Sequence, residues 1–200
     1  MLRLRDVSVA RGGRFLLKGL ALDLRAGQVC TLRGPNGIGK TTLLRTIAGF
    51  QNPQAGTIET APCIYTGHLD GVKAMLTVRE NLSFWARVFG ETSIETALQA
   101  FELTALADRM AGRLSAGQKR RLGLARLLLS DAPLWLLDEP TVALDSASVA
   151  VFEEVLARHT AKGGAALVST HLALAADHTL DLTPFKADPK PIKSFDEAFV

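Results

Sequence analysis

The residues best suited to chemistry form one run, Gly34-Pro35-Asn36-Gly37-Ile38-Gly39-Lys40-Thr41-Thr42. It fits the pattern G-x-x-x-x-G-K-[ST], whose purpose is to hold phosphate. Glycines let backbone N–H groups turn inward around phosphate oxygens, where a Cβ would obstruct them. Lys40 is placed to reach β- and γ-phosphates, and the Thr41 hydroxyl suits Mg²⁺. The apolar run Val29-Cys30-Thr31-Leu32 precedes the loop, and the helix-like Leu43-Leu44-Arg45-Thr46-Ile47-Ala48 follows it. A helix opening here would aim the positive end of its dipole at the same anion. A glycine-rich turn that binds nothing needs neither the lysine nor the hydroxyl.

A second group is acidic. Leu134-Trp135-Leu136-Leu137 is a short continuous apolar run ending in Asp138-Glu139-Pro140. Such a run reads as a central parallel strand buried on both faces. A carboxylate at its end, beside a phosphate loop, can hold Mg²⁺, which assigns Asp138 to the metal. Glu139 is then placed to polarise an attacking water as general base. The pair could instead open a helix before Pro140. A buried strand ending in two carboxylates without a cation nearby argues against that.

The elements that must position these groups are legible in outline. Residues 2–9 alternate, with Leu2, Leu4, Val7 and Val9 inward after a small irregularity, and Gly12-Gly13 marks a turn. Phe15-Leu16-Leu17 and Leu20-Ala21-Leu22-Asp23-Leu24 read as a further pair of strand pieces. Thr57–Thr60 and Cys63–Thr66 read as short strands. From about 72 to 129 the pattern turns helical. Thr77-Val78-Arg79-Glu80 and Thr92-Ser93-Ile94-Glu95 both have the hydroxyl–x–x–acid form of a capping box. A helix at about 146–162 closes at Gly163-Gly164, before a buried strand Ala165–Ser169 that ends at Thr170-His171. The stretch from Thr183, with three prolines, reads as loosely ordered or as an edge segment.

Composition narrows the function classes. Two hundred residues, 48% of them hydrophobic, suit one domain, or one domain with a small lobe inserted, with a sizeable core. A net charge of +3 is too weak to argue for nucleic acid without a clustered patch. Cys30 and Cys63 have no metal, thioredoxin or haem-attachment spacing and read as buried thiols in a reducing cytosol. The start of the chain lacks the apolar centre of a signal peptide, and no apolar stretch reaches the roughly 18–20 residues of a membrane span. Any membrane role is therefore expected to come through a partner.

The third element decides the family. Leu114-Ser115-Ala116-Gly117-Gln118-Lys119-Arg120-Arg121, ahead of the acidic strand, closely resembles the signature motif of ATP-binding cassette (ABC) ATPases. A serine hydroxyl and a glycine N–H at a helix start form another anion site. The resemblance covers residues 1 to about 180. It implies an α/β P-loop NTPase of the ABC ATPase fold, with a mainly parallel core sheet, an N-terminal antiparallel β region and an inserted α-helical subdomain at about 72–125. The chain is then one domain over 1–200, with a C-terminal tail at 183–200. The resemblance also implies ATP and Mg²⁺ as ligands and a head-to-tail dimer. In that dimer Ser115, Ala116, Gly117 and Gln118 of one copy meet the γ-phosphate held by Gly34–Thr42 of the other. Lys119-Arg120-Arg121 belongs to the motif's helix, which removes the nucleic-acid argument. Ala143-Leu144-Asp145 resembles the D-loop, with Val142 where many members have serine, and His171 resembles the switch histidine that contacts the γ-phosphate.

Two departures carry information. Arg11 stands where the family usually places an adenine-stacking aromatic, so Arg11 by its guanidinium plane, or Phe15, is expected at the base. His68 stands where the family has its Q-loop glutamine and could meet Mg²⁺ or water by a ring nitrogen. With the text Gly67-His68-Leu69-Asp70-Gly71-Val72-Lys73 and the L-S-A-G-Q-x-R-R form, the chain resembles one subfamily, the ATP-binding subunit of the cytochrome c maturation system, or haem exporter ATPase. That implies integral inner-membrane partners of the maturation complex, a peripheral place on the cytoplasmic side of the bacterial inner membrane, and ATP turnover coupled to haem export or to release of a haem-loaded carrier. Met75, Leu76, Phe84 and Trp85 are candidates to receive a coupling helix, with helix core the even alternative for Phe84 and Trp85. The rival within the class is the ATPase of another small-cargo transporter. A DNA-repair or chromosome-clamp ATPase would split the nucleotide motifs with long heptad segments, and none is present. A nucleotide sensor that does not hydrolyse is opposed by the presence of both Glu139 and His171.

Overall fold

A computed structural model describes residues 1–67 and 69–188. Two sheets organise the chain: a three-stranded antiparallel sheet of order β2 (Arg14–Leu24), β1 (Leu2–Arg11), β4 (Ala55–Thr60), and a five-stranded parallel sheet of order β5 (Cys63–Thr66), β6 (Leu134–Asp138), β7 (Ala165–Ser169), β3 (Val29–Arg33), β8 (His178–Asp181). The antiparallel sheet starts the chain with β1 (Leu2–Arg11) and β2 (Arg14–Leu24). Leu2, Leu4, Val7 and Val9 are all buried, and the irregularity lies at Asp6, whose φ of 52° shifts the register between Leu4 and Val7. The expected pair of pieces over 15–24 is a single strand. Gly19, with φ 71°, absorbs the break in alternation without ending β2.

β3 (Val29–Arg33) leads through the phosphate-loop sequence into α1 (Lys40–Ile47). After β4 (Ala55–Thr60) the chain crosses to the other sheet and forms β5 (Cys63–Thr66), which pairs in parallel with β6 (Leu134–Asp138). The intervening helical stretch holds α2 (Val78–Phe89), α3 (Glu95–Ala100) and α4 (Ala116–Ala125), the last continuing as a 3₁₀ turn over Arg126–Leu129. Thr77 caps α2 as expected: Glu80 N donates to its Oγ1 at 3.1 Å, and Thr77 N donates to Glu80 Oε2 at 2.7 Å. The second expected box does not form. α3 starts at Glu95 with Ile94 as N-cap, so the acid falls on the first helical residue instead of the third and cannot reach back. Glu95 N instead takes Ser93 Oγ at 3.3 Å.

α5 (Ser146–Ala161) and β7 (Ala165–Ser169) follow β6. β6 is buried along its whole length, and its two faces serve different cores. Leu134 and Leu136 join the cluster under the antiparallel sheet and α1, whereas Trp135 and Leu137 join the cluster under the helical stretch. A fifth parallel strand, β8 (His178–Asp181), lies beyond β3 and was not expected. The stretch from Thr183 is not loose at its start: Ala187 N bonds Leu16 O at 2.9 Å. Residues 189–200 of the expected tail lie outside the described residues. Of the two cysteines expected to be buried, Cys30 is buried and Cys63 is half-buried.

Candidate functional site

α1 begins without a side-chain cap. Its N-cap is Gly39 (φ 120°), and its first turn carries no acid, so no side chain among the described residues caps its orphan N–H groups. A Cβ on Gly39 would lie 3.3 Å from Leu16 and Leu17 of β2, which floor the loop. Lys40 reaches back over the loop and donates to Gly34 O at 2.8 Å and more weakly to Pro35 O at 3.5 Å.

A cleft of about 450 Å³ opens here. Lys40, Thr41 and Thr42 line it from α1, Asp138 and Glu139 from the end of β6, and Asn36, Gly37 and Gly39 from the loop. Gly34, Pro35 and Ile38 belong to the same loop; Ile38 is buried and bonds by its N–H to Pro35 O at 3.3 Å. Parallel pairing delivers the two motifs to one edge, because β7 lies between β3 and β6 and all three run the same way.

Asp138 is 3% exposed. Its Oδ1 accepts from Ser169 Oγ at 2.7 Å and its Oδ2 from Tyr65 Oη at 3.4 Å. Burial, then the Asp138 charge, push the Tyr65 phenol up to about 12, so it stays a donor to the carboxylate. Each carboxylate oxygen has a second acceptor site. With the Thr41 hydroxyl in the same cleft, the donors are hard oxygens, the kind Mg²⁺ takes.

Glu139 has left-handed backbone, φ 49°. Its N–H is held by Ser169 O at 2.9 Å. His171 Nε2 lies 3.3 Å from Glu139 Oε1 and 3.1 Å from Asn36 Oδ1. Glu139 Oε1 is buried and makes no well-aligned hydrogen bond, with His171 Nε2 as its neighbour. The expected general base, the expected switch histidine and the phosphate loop therefore converge.

The other expected residues divide. Arg11 lines the cleft, but Phe15 does not; Leu16 does, and adjacent strand residues face opposite ways. The Phe15 ring carries Lys18 Nζ at 4.2 Å instead. Ser115–Gln118 do not line this cleft. They cap α4: Ser115 N donates to Gln118 Oε1 at 3.0 Å and Gln118 N to Ser115 Oγ at 3.2 Å, with Ser115 and Ala116 exposed and Gly117 partly so. Asp145 caps α5 through Ser148 N at 2.8 Å. His68 lies outside the described residues.

Two arginines escaped the sequence reading. Arg33, the last residue of β3, donates to Thr170 O at 3.1 Å and Leu172 O at 2.6 Å, on either side of His171. Arg120, read only as part of a basic run, is 4% exposed. A signal for it existed. Arg120, Gly123, Leu124 and Leu127 are spaced as one helix face, so an arginine heads a buried stripe.

On the helical side, Phe84 and Val88 of α2 and Met75 before it are exposed, and Leu76, Phe84 and Val88 line a groove beside them together with Arg79, Glu80, Ser83 and Arg87. Trp85 turns inward, stacking on Phe89 at 5.7 Å beneath Arg126 at 5.2 Å.

This fold and cleft are those of an ABC ATPase. The chain belongs to the ABC transporter family, whose model matches residues 17–142. Within that family it is 55% identical, over 193 residues, to the cytochrome c biogenesis ATP-binding export protein CcmA of Rhodobacter capsulatus, a match covering 94% of this chain and 90% of that one. Among solved structures it is similar to a putative ABC transporter ATP-binding protein from Pyrococcus furiosus, at 29% identity and a TM-score of 0.84 over 93% of this chain and 99% of that one. A dimeric ATP-binding cassette in a post-hydrolysis state, bound to ADP and Pi, shares the fold at 23% identity and a TM-score of 0.82, over 98% of this chain and all of that one (100%).

Proposed function

We propose that this chain is the ATP-hydrolysing subunit of a membrane ABC complex for cytochrome c biogenesis. The observation that carries the chemistry is the convergence of Glu139, His171 and Asn36 on the cleft that also holds Lys40. ATP lies with its phosphates against the N–H groups of residues 34–42 and the Lys40 ammonium, which offsets the charge that builds on the phosphoryl oxygens. The Thr41 hydroxyl and the Asp138 carboxylate would hold Mg²⁺, which would supply further charge stabilisation there. The Glu139 carboxylate takes a proton from the attacking water, and His171 holds the γ-phosphate side of the cleft. Arg11 is the cleft residue that faces the base.

The cleft is half a site. Ser115–Gln118 present an exposed helix start away from their own cleft, which supports a head-to-tail dimer with two nucleotides between the copies. The γ-phosphate bridges the halves, so hydrolysis reopens them. Residues 72–125 act as an inserted helical subdomain whose groove of Leu76, Phe84 and Val88 receives an integral membrane subunit. Among the described residues no helix is long and apolar enough to cross a membrane. Through that subunit the chain takes a peripheral place on the cytoplasmic side of the inner membrane. Turnover is coupled to haem export or to release of a haem-loaded carrier.

Affinity purification of the full chain from membranes tests this. Integral membrane proteins carrying a haem absorption band are expected with the wild type and with Glu139→Gln. The variant should bind ATP and persist as an ATP-stabilised dimer while turnover falls at least about a hundredfold. Wild-type turnover in Glu139→Gln removes the general-base role, and membrane partners without haem point to another small-cargo transporter.

A further inference from the structure

Arg120 uses all of its donors. Nε donates to Pro140 O at 2.9 Å; Nη2 donates to Glu139 O at 2.6 Å and Asp138 O at 3.2 Å; Nη1 donates to Gly67 O at 3.1 Å and Asp70 Oδ1 at 2.8 Å. Four of these five acceptors are main-chain carbonyls, and three belong to consecutive residues that span the left-handed Glu139. A non-glycine residue in that conformation persists only where its surroundings hold it. Ser169 fixes the N–H side of Glu139, and Arg120 fixes the carbonyl side.

The fifth bond leads elsewhere. Asp70 is the only carboxylate that Arg120 meets among the described residues, and it belongs to the chain segment between β5 and α2. α4 approaches that segment closely because residue 123 is glycine: a Cβ there would lie 2.9 Å from Asp70 O. One planar guanidinium therefore bonds the Glu139 turn on one edge and the segment ahead of the exposed groove on the other. Its donors are locked in one plane, so displacement at Asp70 is passed to the turn; a lysine, with a single rotatable ammonium, has no such geometry.

We propose that Arg120 is a positioning residue for hydrolysis: it holds Glu139 in its left-handed turn and ties that turn, through Gly67 and Asp70, to the segment leading to the helical groove. The inference rests on Glu139 being the general base. Arg120 does not line the nucleotide cleft, so its loss acts on the chemical step and spares binding.

The test compares Arg120→Met, Arg120→Lys and Asp70→Asn in the full chain within its membrane complex, each alone and combined with Glu139→Gln. Arg120→Met should lower kcat about tenfold or more with KM for ATP within about threefold, and Arg120→Lys should restore less than half of the loss. Asp70→Asn should lower kcat by about threefold, again at unchanged KM. In the Glu139→Gln background Arg120→Met should cause no further loss, since it acts through the same carboxylate. Wild-type kcat in folded Arg120→Met, a change confined to KM, or equal losses in both backgrounds overturns the proposal. Should Arg120→Met fail to fold, as its melting curve would reveal, unchanged kcat in Asp70→Asn overturns it. Wild-type turnover in Glu139→Gln alone sinks the general-base reading and this inference with it; normal loss there beside an unaffected Arg120→Met sinks only the inference.

Discussion

Arg33 bonds the carbonyls before and after His171, so the histidine's loop is fastened to the strand that ends at the phosphate loop. Arg33→Met keeps most of the side-chain length and removes the donors. It should slow ATP turnover by about tenfold while nucleotide affinity stays within about threefold, because His171 loses its placement and the phosphate loop does not. Steady-state ATPase assays beside nucleotide-binding titrations check this, and unchanged turnover would refute it. The contrast with Lys40 explains what a sequence can reveal. Phosphate chemistry needs a lysine at that spacing, so Lys40 is legible as a residue type. Arg33, and Arg120 in four of its five bonds, act on backbone carbonyls, which every residue carries, so little in their partners' identities marks them. His171 is intermediate: a histidine after a strand has many uses, and only its order relative to the other motifs singled it out.

Among the elements, strands buried on both faces were the most legible. β6 and β7 are continuous apolar runs; β7 keeps its expected bounds, and β6 runs one residue past its apolar run to take in Asp138. β8 escaped because it is an edge strand with exposed residues at three of its four positions. It carries no alternation, and it is held by its ladder to β3 and by Thr31 Oγ1 to Thr179 Oγ1 at 2.9 Å. Caps were half legible, since Thr77 and Thr92 head the same pattern but only Thr77 caps a helix. Thr77→Ala should therefore cost about 1 kcal/mol, or a melting point lower by roughly 2–4 °C, whereas Thr92→Ala should leave it within about 1 °C. Thermal melts of the two variants side by side decide it.

The molecule as a whole packs two apolar clusters against opposite faces of one parallel sheet. Behind the helical cluster, the His159 ring stacks on Trp135 with centroids 3.8 Å apart and planes 10° apart. Burial lowers the pKa of His159 from its ordinary 6.5; main-chain groups of Ala165 and Pro133 oppose the shift, and the Lys162 charge adds to it. The unfolded chain then binds the proton more readily than the folded one, so the stabilising contribution is complete above about pH 6.5 and is lost as pH falls through the folded value. Melting temperature should drop on acidification below about pH 6.5, and His159→Phe, which keeps a ring on Trp135, should flatten that slope. An identical pH profile in both proteins would show that His159 plays no part.

The strand order has a consequence for synthesis. β3, which carries the phosphate loop, pairs on one side with β7 at 166–169 and on the other with β8 at 178–181. While the chain is being made, the strand at 29–33 emerges with neither neighbour in existence, and it waits for most of the remaining chain. Nucleotide cannot be held in its finished cradle before about residue 181 has left the ribosome. A product cut short in α5 therefore carries the whole phosphate loop, Asp138 and Glu139, and still lacks the two walls that hold the loop's strand in place.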